Sequence, residues 1–128
     1  MSAELEKVMA DLDAHVRDGV VDLALEVTAN LVEKTPFQYG YARASWIPSI
    51  GVHTQATGGA EKVPNSAAQQ SGIALVASSY QPYAPVYVTN NVRYIGRLND
   101  GSSKQAPAGY VQTEIARAVK TVSQRRSR

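Results

Sequence analysis

Apolar residues recur at intervals of three and four from Leu5 through Val8, Met9, Leu12, Val16, Val20, Leu23 and Val27 to Leu31. That spacing lines one face of a helix and predicts a long amphipathic helix over Ala3 to Lys34. Ser2 is placed to cap its start, and Glu4 and Glu6 complement the positive end of the helix dipole. Thr35-Pro36 ends the run, because a residue before proline avoids helical geometry. At 1.5 Å per residue such a helix spans about 48 Å, longer than a domain of this size is wide. Part of it is therefore expected to project or kink, with Gly19 as the weak point.

Beyond Pro36 the pattern changes. Arg43 to Val52 is rich in bulky and β-branched residues, and Pro48 confines it to an edge strand or bulge. Gly72 to Ser79 is apolar on both alternating faces, through Ile73, Ala74, Leu75, Val76 and Ala77, which predicts a central strand covered on both sides. A third strand is expected at Val86 to Thr89. Asn90-Asn91 follows with turn chemistry, since asparagine tolerates left-handed geometry, and Tyr94 to Leu98 reads as a short helical turn. A last helix is expected from Pro107 to about Ser123, burying Val111, Ile115, Ala118, Val119 and Val122. Residues 51–71 hold Gly, Ala, Gln, Ser, Thr and Pro64 without periodicity, which reads as a long flexible loop. Loops of that length are uncommon unless functional or disordered, and this one reads either as a solvated insertion or as a segment that orders only against a neighbouring subunit. These elements make one α+β domain over residues 1–128: a long N-terminal helix, a small, mostly antiparallel sheet of three to four strands, and a C-terminal helix packed on the sheet.

At 128 residues the chain is long enough for one sizeable core. It has no cysteine, so disulfides and thiolate metal sites play no part. No apolar run approaches the roughly 20 residues of a membrane span, and the acidic start lacks a leader's basic and apolar regions, so no membrane partner is expected and synthesis in a cytoplasm is. The net charge of +2 hides an asymmetry. Residues 1–34 carry 8 acidic and 3 basic groups, whereas residues 35–128 carry 3 acidic and 10 basic. Such polarity orients partners and suits head-to-tail packing of identical copies.

Candidate chemistry is sparse. His15 and His53 are the only histidines and have no acidic or histidine partner at ligand spacing. Asp11/Asp13 and Asp18/Asp22 read as a solvated helix face, with Asp13 and Arg17 spaced to pair across one turn. Gly58-Gly59 lacks the ending of a phosphate loop, and Ser102-Ser103-Lys104 lacks the spacing that sets serine and lysine on one helical turn. No catalytic, metal or cofactor residue is expected, and none is assigned. Aromatic residues cluster between positions 37 and 110. Tyr39, Tyr41, Arg43 and Trp46 are of the types that dominate interfaces. For Tyr39 and Tyr41 that role and packing weigh evenly, and for Trp46 packing is favoured. Arg125, Arg126 and Arg128 close a stretch with no acid. They read as a frayed basic tail over 123–128, as a contact to DNA phosphates, or as a contact to an acidic neighbour such as the N-terminal helix of the next copy.

The most informative stretch is Gly101-Ser102-Ser103-Lys104-Gln105-Ala106-Pro107-Ala108-Gly109-Tyr110, after Tyr94-Ile95-Gly96-Arg97-Leu98. Its glycines permit backbone conformations closed to other residues, and Pro107 suits the first turn of a helix. The pattern Tyr-x-x-x-Leu-x-x-Gly-x-Ser-x-Gln-Ala-Pro-x-Gly resembles the small neck and tail-completion proteins of long-tailed bacteriophages, including the minor tail protein Z group. Thr35-Pro36-Phe37-Gln38-Tyr39-Gly40-Tyr41-Ala42-Arg43-Ala44-Ser45-Trp46 resembles the same family's Thr-Pro-x-x-x-Gly-x-Leu-Arg-x-Ser-Trp signature, in the same order and spacing. The chain departs from the family at Gln38-Tyr39, Ala42 and Asn99. The resemblance implies a structural, non-enzymatic virion protein of the neck or tail top that helps join tail to head. It would assemble in the host cytoplasm as a ring, most plausibly of six copies. Expected neighbours are a tail terminator or tail tube protein and a head-side connector protein. Ser103, Lys104, Gln105 and Pro107 would then join Tyr39, Tyr41, Arg43 and Trp46 as subunit-interface residues. The alternative is a basic protein touching the packaged genome at the head-tail junction through Arg125, Arg126 and Arg128.

Overall fold

The computed structural model describes residues 2–36, 41–58, 66–101 and 103–127. Helix α1 runs from Ala3 to Lys34, unbroken through Gly19. Its ends follow from local chemistry: Ser2 Oγ accepts from the Leu5 amide at 3.1 Å, and Thr35 leaves helical geometry at ψ 132°. Residues 2–15 are all exposed, and burial begins only with Ala24, Thr28 and Leu31. Of the two expected outcomes, projection and kinking, the helix projects.

After Thr35-Pro36 and a single helical turn, α2 (Tyr41–Ala44), the chain enters β1 (Ile47–Ile50), which pairs antiparallel with β2 (Val86–Thr89) in the register Ile47 with Thr89 and Ile50 with Val86. Among the described residues the sheet has these two strands, fewer than the three to four expected. The central strand expected at Gly72 to Ser79 is instead helix α3, Ala67–Ser79. Its start is set by Ser66, whose Oγ accepts from the Gln69 amide at 3.1 Å. An Ala-rich apolar run fits a helix flank as readily as a buried strand. Here α3 covers the sheet by lying on β1. Gly72 makes that contact possible, because a Cβ there would come within 2.5 Å of the Pro48 carbonyl oxygen. The expected loop over 51–71 therefore ends at Ser66. Of its remainder, 51–58 is tied back by Asn91 Nδ2, which donates to the Thr54 and Ala56 carbonyls, and 59–65 lies outside the described residues.

Asn90 makes its turn through the side chain: Oδ1 accepts from the Val92 amide at 3.0 Å while Nδ2 donates to the Ala42 carbonyl at 2.9 Å. Left-handed geometry is not used there. A short helix, α4 (Ile95–Asn99), leads through the loop at 100–109 into α5 (Tyr110–Arg126). Helix α5 starts three residues later than expected and continues helical to Arg126, within the stretch expected as a tail. It packs antiparallel along α1 and not on the sheet. Its buried face is Tyr110, Glu114, Ala118 and Val122. Of the residues expected inside, Ile115 and Val119 are exposed. The anchoring of Tyr110 described next sets that rotation.

Candidate functional site

The two stretches that carry the family resemblance meet at Thr35. Its hydroxyl donates to the Leu31 carbonyl at 2.6 Å, and Trp46 Nε1 donates to it at 2.7 Å. Tyr110, 75 residues away in sequence, places its hydroxyl 3.2 Å from the same oxygen. A hydroxyl has one proton and two acceptor sites. Since Leu31 takes the proton and Trp46 one acceptor site, Tyr110 must be the donor on the other. Burial pushes the Tyr110 phenol above its ordinary range. The Thr35 carbonyl accepts from Arg43 Nε at 2.6 Å, which draws α2 to the same point. A second tie joins the stretches where the Tyr41 and Tyr94 rings lie 6.5 Å apart. Gln69 then locks α3 onto this corner, its Nε2 donating to the carbonyls of Arg43 and Trp46 at 2.8 and 2.9 Å.

The loop before α5 is closed at its base by Asn99. The Asn99 carbonyl accepts from the Gly109 amide at 2.6 Å, and Oδ1 accepts from the Val111 amide at 2.9 Å, capping α5 from outside the helix. Gly101 and Gly109 hold φ of 95° and 76°, the left-handed region where glycine alone is unstrained. Lys104, Gln105 and Pro107 stand exposed on the loop, Ser103 is half-buried, with its Oγ accepting from the Gln105 amide, and Ala106 is buried. Between loop and helix lies a cleft of about 300 Å³ lined by Lys34, Gln105, Pro107, Tyr110, Glu114 and Arg117. Glu114 is buried there, with Arg117 Nε 3.2 Å from its Oε1. That contact neutralises the charge but leaves Oε1 without an aligned hydrogen bond.

The C-terminal arginines face their own chain. Arg125 forms ion pairs with Asp22 and Glu26 of α1, and Arg126 reaches Asp22 and the His15 carbonyl. The acidic helix expected as a neighbour's contact is thus met first within the molecule. Arg17 pairs with Asp18 and not Asp13, which accepts instead from the Tyr83 hydroxyl at 3.0 Å. Tyr83 sits at φ 72°, an unusual geometry for a residue with a side chain.

Among the expected interface residues, Lys104, Gln105 and Pro107 are open to solvent, and Tyr41 and Arg43 are half-buried. Trp46 is buried and serves the Thr35 junction, in line with packing. Tyr39 and Arg128 lie outside the described residues. Sequence reasoning missed Thr35, Gln69 and Asn99 as the residues that hold the corner together. For Gln69 a signal was present, since Ser66-Ala67-Ala68-Gln69 has the spacing of a helix-capping box. Among the described residues, no group of three or more His, Cys, Asp or Glu is arranged to hold a metal, and no helix is long and apolar enough to cross a membrane. No protein-family model, curated protein or solved structure matches the chain.

Proposed function

We propose that this protein is a structural component of a phage-type neck or tail top, working by surface complementarity without turnover. The observation that supports this most is the meeting of the two family-like stretches at one buried corner, Thr35 with Trp46 and Tyr110. That corner fixes the root of the Gly101 to Gly109 loop, which holds Lys104, Gln105 and Pro107 outward on a backbone clamped by Asn99. A rigidly rooted loop with exposed polar groups is suited to docking, because little conformational freedom remains to be lost on binding. In this reading the protein forms a ring, of six copies by family likeness. It sits between a tail terminator or tail tube protein and a head-side connector. The DNA-contacting alternative is weakened by the engagement of Arg125 and Arg126 with Asp22 and Glu26.

The test is to isolate tail particles from producing cells and probe them for this protein. The expected result is incorporation at a fixed stoichiometry at the head-proximal end, reduced by Lys104→Ala or Gln105→Ala while the isolated protein stays folded. Particles that lack the wild-type protein would overturn the reading.

A further inference from the structure

Ion pairing within the chain consumes the charges along the middle of the molecule: Asp18 with Arg17, Asp22 and Glu26 with Arg125, Glu114 with Arg117. The charges left over are segregated. Among the described residues, Glu4, Glu6, Asp11, Asp13 and Asp100 are the acids without an ion pair. All but Asp100 stand on the projecting end of α1, where Lys7 is the one cation, and of these Asp13 alone has a partner, the Tyr83 hydroxyl. Arg93, Arg97 and Lys104 are exposed, form no ion pair, and have Asp100 as the one acid among them.

These two sets lie at opposite ends of α1. Arg93 and Arg97 are four residues apart across the turn that opens α4, with the exposed Tyr94 between them, and the Tyr94 ring meets Tyr41 beside the Thr35 corner. Lys104 stands on the loop whose Gln105 and Pro107 share a cleft with Lys34, the last residue of α1. Glu4 is about 46 Å from that corner at 1.5 Å per residue. Because α1 is unbroken, the acidic end cannot fold back onto the basic end of its own chain. Two acidic ends laid together would repel, which is penalised. A nucleic acid would satisfy Arg93, Arg97 and Lys104 but leave the acids, and Leu5, Val8 and Leu12 beside them, uncovered. A second copy satisfies both ends in one contact, with Tyr94 offering apolar surface to the leucines.

We infer that the acidic end of α1 in one copy docks on the Arg93, Arg97 and Lys104 surface of a second copy. This contact rests on the assembly reading above and names the surfaces that would build it. It joins unlike patches, so each copy both gives a tip and receives one, and the product is a closed ring or an open chain.

Sedimentation velocity of the full-length protein over a wide concentration range tests it. The wild type should grow in mass with concentration, less so as salt rises from about 50 to about 500 mM, because added ions screen exposed charges. Charge reversal at the tip, Glu4→Lys with Asp11→Lys, and at the far surface, Arg93→Glu with Arg97→Glu, should each weaken association by at least about tenfold, since each sets like charges together. Mixed together, the two variants should associate again, because the basic tip of one then meets the acidic surface of the other. Glu6→Lys and Lys104→Glu give a second pair should either variant lose its circular dichroism signature. A wild type that stays monomeric, a reversed variant that assembles as well as the wild type, or a mixture that does not associate overturns the inference. Absence of the wild-type protein from tail particles sinks the neck reading instead, and leaves the self-association result standing.

Discussion

Leu12 and Leu31 belong to one three-and-four spaced series on one helix, yet Leu31 is 1% exposed and Leu12 53%. The C-terminal half of α1 is enclosed by α3, the two strands and α5, while residues 2–12 stay exposed to solvent. Periodicity declares which residues want cover, and the number of elements available decides which receive it. With one helix of 32 residues and one of 17 laid against it, the longer must outrun the shorter.

Substitutions can break this contrast, the largest effect coming first. Leu31→Ala should cost about 2–5 kcal/mol, measured by urea unfolding, because it opens a cavity in a closed site. A loss below about 1 kcal/mol would mean that the buried half is less tightly packed than described. Thr35→Val keeps the shape of the side chain but strands Trp46 Nε1 and the Tyr110 hydroxyl, and should cost about 2–4 kcal/mol at the ordinary penalty for unpartnered buried groups. Full stability in that variant would contradict the hydrogen-bond count at the corner.

A smaller effect appears with alkali. The Tyr110 phenol is held above its ordinary 10.0 by burial, so the folded state resists losing a proton that the unfolded chain gives up readily. Its contribution is complete below the unfolded value and is lost as pH rises through the folded one. Tyr110→Phe should therefore show a shallower decline of stability in alkali than the wild type. Smallest of all, Leu12→Ala should change stability by no more than about 0.5 kcal/mol, as expected for an exposed position. A larger loss would show that the tip is covered in the isolated chain.

Much of the fold was legible from local signals. Ser2 and Thr35-Pro36 gave both ends of α1, Val86 to Thr89 was read as a strand at its observed bounds, and the glycines at 101 and 109 announced their left-handed backbone. The failures came where a residue's role depends on something distant. The Ile73 to Ala77 run is apolar enough for either strand or helix, and the decision lay in the Ser66 cap and the close approach of Gly72 to Pro48. The rotation of α5 could not be read from its own periodicity, because Thr35 on another helix fixes Tyr110. At the candidate site, the loop itself was visible in sequence. Its anchor at Asn99 was not, since an asparagine that caps a helix 12 residues later leaves no local pattern.

The continuity of α1 also governs how the molecule would carry force. A pull on Leu5 to Leu12 travels down a single rod and meets the body first where Tyr83 donates to Asp13, then at the ionic contacts where Arg126 reaches His15 and where Arg125 and Arg126 grip Asp22. These ionic contacts are partly open to water, so they can slip and re-form without exposing the core. The Thr35 corner lies at the far end of the rod, about 20 Å beyond Asp22 at 1.5 Å per residue, and is loaded last. The arrangement is that of a lever with a yielding clamp near its free arm and a fixed pivot behind.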